Sequence, residues 1–187
     1  MIVIIIDYGM GNVGSIQNML KKLGYSSIIS NSIDDIKRAD KLILPGVGAF
    51  DEAMKRINEL GIGEVLRQSV LVEKKQILGI CLGMQLLGNG SEEGTQKGLS
   101  LLNYECVRFK PVNSSVLDFK VPHIGWRYVK NEKNSYLTKF VDDNPRYYFV
   151  HSYYVPFNPE ITSQSCEYII KFSASVEKGN IYGTQYH

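Results

Sequence analysis

The sequence predicts an α/β fold: a mostly parallel open sheet with helices on both faces, joined in the C-terminal half by an added antiparallel, hairpin-rich region. Three observations carry this prediction. Short apolar runs and amphipathic helical stretches alternate from Ile2 to Leu87, the pattern of βαβ units. The first run, Ile2-Val3-Ile4-Ile5-Ile6, is apolar throughout, as a strand buried on both faces is. Beyond Tyr104 the texture changes to tyrosines, asparagines and short β-prone runs.

Taken in order, Ile2 to Ile6 is the first expected strand. Asn12 to Leu23 follows as a helix, with Val13, Ile16, Met19, Leu20 and Leu23 on one face and Gly24 as its stop. Tyr25 to Ile29 reads as the second strand and Ile33 to Ala39 as a short helix. Lys41 to Leu44 is the third strand, cut off by Pro45-Gly46. Ala49 to Arg67 is helical with a break near Gly61 to Gly63. Gln76 to Ile80 is the fourth strand, and Leu82 to Leu87 opens the next helix. Tyr104 to Phe109, Arg146 to Val150, Tyr168 to Phe172 and Asn180 to Gln185 read as further strands. Glu177-Lys178-Gly179-Asn180 is a tight turn between two strands.

At 187 residues the chain is expected to form one domain with a sizeable core. A formal net charge of +2 without a basic cluster gives no footing for nucleic acid. The three cysteines lack a Cys-x-x-Cys spacing, which argues for a reducing compartment and against zinc. The apolar N-terminus is too short to span a bilayer and carries no basic leader or small-residue cleavage site. The expectation is a cytoplasmic enzyme.

Ligands of open α/β sheets bind at the carboxyl ends of the strands. Three features fall there: Asp7 to Gly14, Pro45-Gly46-Val47-Gly48, and Cys81. The last is the strongest chemical signal. Gly79-Ile80-Cys81-Leu82-Gly83 follows an apolar strand and precedes an apolar helix, the pattern of a nucleophile elbow. A thiolate there would attack an acyl carbon, and the first helix amides would favour the thiolate and receive an oxyanion. An inert buried cysteine is the alternative; Cys106 and Cys166, without such flanks, are read that way. Gly46, Val47 and Gly48 leave backbone N–H groups uncovered beside the elbow, which suits an oxyanion hole.

Gly9-Met10-Gly11-Asn12-Val13-Gly14 matches a dinucleotide-binding loop, but the acidic residue that should close the second strand is missing, for that strand ends Ile29-Ser30-Asn31. A tight turn into a helix is the better reading, and a docking surface is a third. A cysteine nucleophile needs a proton carrier, usually histidine. His123, His151 and His187 are the candidates, and spacing does not choose among them.

Together these segments resemble the class I (triad-type) glutamine amidotransferases. Within that family they are most similar to the glutaminase subunits that serve histidine biosynthesis. The resemblance covers essentially the whole chain. It rests on Asp7-Tyr8-Gly9-Met10-Gly11-Asn12, Pro45 to Gly48, Gly79 to Gln85, Pro122-His123-Ile124-Gly125-Trp126, Phe149-Val150-His151-Ser152-Tyr153 and Gly183-Thr184-Gln185-Tyr186-His187. It implies Cys81 as nucleophile and His187 as catalytic base and acid. It implies an oxyanion hole at Val47, Gly48 and Leu82, and glutamine contacts from Gly46, Gln85, His151, Ser152 and Tyr153. It assigns Asn12, His123, Trp126 and Tyr148 to the face toward a partner subunit, a (βα)8-barrel synthase that uses the ammonia to make imidazole glycerol phosphate. No cofactor and no metal are implied.

The family's triad carries an acid two residues after the histidine, in His-Pro-Glu, and this sequence stops at His187. The expectation is a single amidotransferase domain over residues 1–187 lacking its last C-terminal segment. Arg127 stands where the family pattern has asparagine. Two alternatives are therefore kept: a paralogous subunit supplying ammonia for amidination of bacterial surface sugars, and a non-catalytic interaction subunit.

Overall fold

A computed structural model describes residues 1–110, 120–142 and 144–187. The first half is built as the alternation predicts. The strands are β1 Val3–Ile6, β2 Ser27–Ser30, β3 Lys41–Gly46 and β4 Gln76–Cys81. The helices are α1 Val13–Lys22, α2 Ile33–Arg38, α3 Phe50–Glu59, α4 Ile62–Arg67 and α5 Leu82–Leu86. A π-helical turn at Gln68–Val72 ends α4. Gly61, at φ 67°, separates α3 from α4, which is the break expected near that glycine.

The second half adds β5 Gly90–Ser91, β6 Glu105–Arg108, β7 His123–Tyr128, β8 Lys130–Asn131, β9 Arg146–His151 and β10 Tyr153–Pro156. It closes with β11 Thr162–Glu167, β12 Lys171–Lys178 and β13 Ile181–Thr184. Among the described residues one sheet runs β2-β1-β3-β4-β13-β12-β10-β6-β5, with β11 and β8 branching from β12. The ladders from β2 to β13 are parallel, and those of β12 with β13, β10 and β11 are antiparallel. β7 and β9 form a separate antiparallel ribbon.

The sheet is covered on both faces. Ile4, Ile6, Leu42, Leu44 and Ile77 pack against α2 to α5 in the main core. Val3, Ile5 and Ile43 face the other way, against Val13, Ile16 and Leu20 of α1. Met19 and Leu23, expected on the same stripe, are exposed. A third core is aromatic: Phe109, Phe149, Tyr154, Phe172 and Tyr186 gather between the ribbon and the antiparallel strands.

Two expected strands are corrected. β3 runs through Pro45 instead of stopping before it, because its ladder with β1 ends at Ile5 opposite Ile43; beyond that point the missing proline N–H costs no bond on that side. Of Tyr168 to Phe172 only Lys171 and Phe172 are strand, at the start of β12. Glu167 pairs with Lys171, so residues 168–170 are the connection between β11 and β12. The turn at Gly179, φ 60°, lies where it was expected, between β12 and β13.

Candidate active site

The parallel register brings three strand ends together. Gly46 lies opposite Cys81 on one side, and Thr184 opposite Ile80 on the other. β4 ends at Cys81 and α5 starts at Leu82, so the chain turns within a single residue. Cys81 adopts φ 55° and ψ −110° to do so, a sparsely populated conformation that costs on the order of 1–3 kcal/mol. The flanking glycines make room. A Cβ on Gly83 would sit 1.8 Å from the Leu44 carbonyl oxygen, and one on Gly79 would sit 2.7 Å from the Gly83 carbonyl.

Cys81 and His187 open onto one cavity of about 310 Å³, at the lower end of the roughly 300–1,000 Å³ typical of small-molecule sites. Val47, Gly48 and Leu82 line it beside the sulfur, and Gln85, His151, Ser152 and Tyr153 form a second wall. The structure thus brings nine of the sequence-assigned residues to one site. Gly46 is corrected: it is buried beneath the site, where a Cβ would lie 2.5 Å from the Tyr8 hydroxyl. It is a spacer for the elbow and is not among the residues that line the cavity. Asn12 is exposed and caps α1, its Oδ1 accepting from the Ser15 N–H at 3.2 Å.

His123 is also corrected. It is 0% exposed, stacked between Phe149 and Tyr168, whereas Trp126 is 57% exposed. Side chains on a strand alternate between faces, so residues three apart in β7 cannot share one. Ile124, Trp126 and Tyr128 point outward, opposite Val150, Tyr148 and Arg146 of β9. Arg127 alternates with Trp126 and lies over the Tyr168 ring at 5.3 Å. Tyr148 packs edge-on against Trp126, and its carbonyl accepts the His187 N–H at 3.0 Å. The ribbon is therefore bonded directly to the backbone of His187.

The histidine pair has a defined tautomer. A carbonyl oxygen can only accept, so His151 Nδ1 carries the proton it gives to Tyr153 O at 2.8 Å. Burial holds His151 down to about 3 and His123 down to about 4, so both are neutral at physiological pH. His151 Nε2 then accepts from His123 Nδ1 at 3.0 Å, and His123 Nε2 is left as a buried acceptor without a hydrogen-bond partner among the described residues.

Burial pushes the Cys81 thiol up to about 11, against the opposing pull of the Leu82 N–H and the Gln185 carboxamide. The first helix amide, Leu82 N–H, does favour the thiolate as expected, but α5 is only five residues long and desolvation outweighs it. Burial also lowers His187, which leaves a neutral imidazole able to take a proton. With a folded value above the ordinary 9.0 of a thiol, Cys81 contributes stability that is present below pH 9 and lost as pH rises towards 11. Alkylation of Cys81 by iodoacetamide in the substrate-free protein is expected to be slow at pH 7 and to rise about tenfold per pH unit above it. A plateau already reached by neutral pH would contradict this.

Two residues of the site were missed. Glu93 lines the cavity and its Oε2 accepts the Phe50 N–H at 3.0 Å. No sequence spacing points to it. Gln185 donates to the Cys81 sulfur at 3.7 Å. It follows Thr184, the partner of Ile80, so continuing the parallel register would have set it beside Cys81. Cys106 and Cys166 are buried thiols pushed upward by burial, as their inert reading requires.

A strained thiol on an elbow, a histidine on the same cavity and uncovered backbone beside both define an acyl-transfer site of the cysteine type. Residues 4–187 match the family Glutamine amidotransferase class-I, and the chain belongs to that family. A relative from Methanococcus maripaludis, named imidazole glycerol phosphate synthase subunit HisH 2, is 50% identical over 98% of this chain and 89% of its own length. One of the same name from Pseudomonas aeruginosa is 43% identical over 99% of this chain and 90% of its own. A crystal structure of a glutamine amidotransferase superposes with a TM-score of 0.73 at 17% identity, covering 99% of this chain and 89% of the other. Another, from Thermotoga maritima, gives 0.68 at 17% identity over 100% of this chain and 75% of the other. These two likenesses support the α/β fold. Among the described residues no helix is long and apolar enough to cross a membrane.

Proposed function

We propose that this chain is the glutaminase subunit of an imidazole glycerol phosphate synthase, cytoplasmic and paired with a (βα)8-barrel subunit in histidine biosynthesis. The observation that carries the chemistry is the shared cavity of Cys81 and His187. Glutamine's carboxamide carbon is attacked by the Cys81 sulfur, whose proton passes to His187 as the C–S bond forms. The oxyanion is held by backbone N–H groups at Val47, Gly48 and Leu82. The C–N bond breaks as His187 delivers a proton, ammonia leaves, and a γ-glutamyl thioester remains. Water, deprotonated by His187, then releases glutamate and returns the thiol.

The rest of the cavity suits glutamine's other end. Both hydrogens of the Gln85 amide are used, on Tyr153 O at 3.1 Å and on Gln185 Oε1 at 3.0 Å. Its own oxygen is left to accept, and Glu93 supplies a carboxylate on the same wall. An α-ammonium group meets both demands. Ser152 and Tyr153 offer backbone groups to the α-carboxylate.

The outward face of the ribbon is the surface for the synthase subunit. Ile124, Trp126 and Tyr128 are 55%, 57% and 60% exposed in a row beside the site, and a contiguous apolar patch of this kind marks an interaction surface. Trp126→Ala is expected to weaken the complex by about 2 kcal/mol, roughly thirtyfold in Kd, as an interface tryptophan does. Titration calorimetry against the barrel subunit measures it. The function is tested by glutamate release with and without that subunit and its ribotide ligand, and by deleting the gene. Partner-dependent release and a requirement for histidine are expected. Growth without histidine would move the assignment to surface-sugar amidination, and partner binding without release to an interaction subunit.

A further inference from the structure

We infer that Gln185 is a third residue of the nucleophile: its carboxamide is an orientation-locked hydrogen-bond donor that steadies the Cys81 sulfur as thiolate. The inference rests on Cys81 being the attacking group, and it adds a residue to that chemistry.

Gln185 is fully buried one residue beyond β13, and its backbone N–H is fixed to Ala174 O at 2.8 Å. Its Nε2 reaches Cys81 Sγ at 3.7 Å. An amide can present either its NH2 or its oxygen to a neighbour, and the surrounding network decides which. Here the decision comes from a backbone carbonyl. Tyr153 O accepts only, so Gln85 must turn its NH2 towards it, at 3.1 Å. The second hydrogen of that NH2 goes to Gln185, at 3.0 Å, and can only meet an oxygen. Gln185 Oε1 is thereby pinned to Gln85, and its NH2 is turned on the sulfur. Flipping Gln185 would set two NH2 groups against each other and aim an oxygen at a developing thiolate.

The carbonyl that starts the sequence is itself held, because His151 Nδ1–H also donates to Tyr153 O, at 2.8 Å, and His151 is braced by His123. The pocket wall and the nucleophile therefore belong to one bonded network. The donor matters because the Cys81 side chain is buried. Burial is the largest influence on the thiol and acts against ionisation. A hydrogen bond to a charged group in such surroundings is among the stronger kinds. Gln185 offsets part of the desolvation at the step where the thiolate forms.

The test is the pH dependence of Cys81 alkylation by iodoacetamide, followed by peptide mass spectrometry on the protein in complex with its synthase subunit. Wild type is compared with Gln185→Leu, Gln185→Met and Gln185→Glu. Removing the donor is expected to move the alkylation midpoint up by about one pH unit, an approximately tenfold slower reaction at pH 8. Gln185→Glu, which sets an acceptor against the sulfur, is expected to move it further. Glutaminase kcat should fall with the midpoint while KM changes little. Gln185→Met keeps the volume in case Gln185→Leu does not fold. Unchanged midpoints in folded variants would overturn the inference, as would an upward shift in Gln185→Glu alone. A different result would overturn the functional reading instead: wild-type protein fully alkylated at Cys81 that still hydrolyses glutamine.

Discussion

Cys81→Ala is expected to lower glutamine hydrolysis by at least about 10⁴-fold, since removing the nucleophile of a covalent mechanism leaves only binding and oxyanion stabilisation. The same variant should still form its complex and still support synthesis from added ammonium salt, because nothing in the ribbon of β7 and β9 depends on the sulfur. Its stability should change by only about 1 kcal/mol, the loss of one small buried group. Alanine inherits the positive φ of 55° at this position, so the strain of the elbow is neither created nor relieved. Measured together, glutaminase and ammonia-dependent rates separate loss of the nucleophile from loss of the fold.

Gly83→Ala is expected to have the largest effect on folding. Its new Cβ would lie 1.8 Å from the carbonyl oxygen of Leu44 and 2.8 Å from the carbonyl carbon. That carbonyl belongs to β3, a central strand with parallel neighbours on both sides, so it cannot step aside without breaking the ladder. Overpacking against rigid backbone costs about 3 kcal/mol or more, a large part of the 5–15 kcal/mol typical of a domain. Urea unfolding measures the loss directly. A midpoint within error of wild type would mean that the elbow is far looser than its contacts indicate. The solvent-exposed Gly14, where a Cβ meets nothing within 4 Å, is the control.

The elbow was legible in the sequence because its signal is local. A strand, two glycines, a cysteine between them and a helix fix one another within a few residues. β1 to β4 were legible for the same reason, since each apolar run and each helix stop is short range. What depended on register was not legible from pattern alone. Gln185 becomes a neighbour of Cys81 only because β13 inserts beside β4, although the two are about 100 residues apart in sequence. Glu93 reaches the cavity from the loop after β5 and is held by the first N–H of α3, a contact no spacing rule anticipates. His123 is the instructive failure. The odd separation between His123 and Trp126 already placed them on opposite faces of a strand, and grouping them as one surface motif overlooked that alternation. The connection Tyr168-Ile169-Ile170 looked like a strand by propensity. Tertiary pairing of Glu167 with Lys171 made it a turn instead.

The proposed reaction runs through a covalent intermediate at one sulfur. The most direct measurement is acid quench of the complex during turnover with glutamine, followed by peptide mass spectrometry. A γ-glutamyl adduct on the peptide carrying Cys81 is the expected result, and none in Cys81→Ala. Glutamate released at the normal rate without an adduct on Cys81, or with Cys81 replaced, would contradict it.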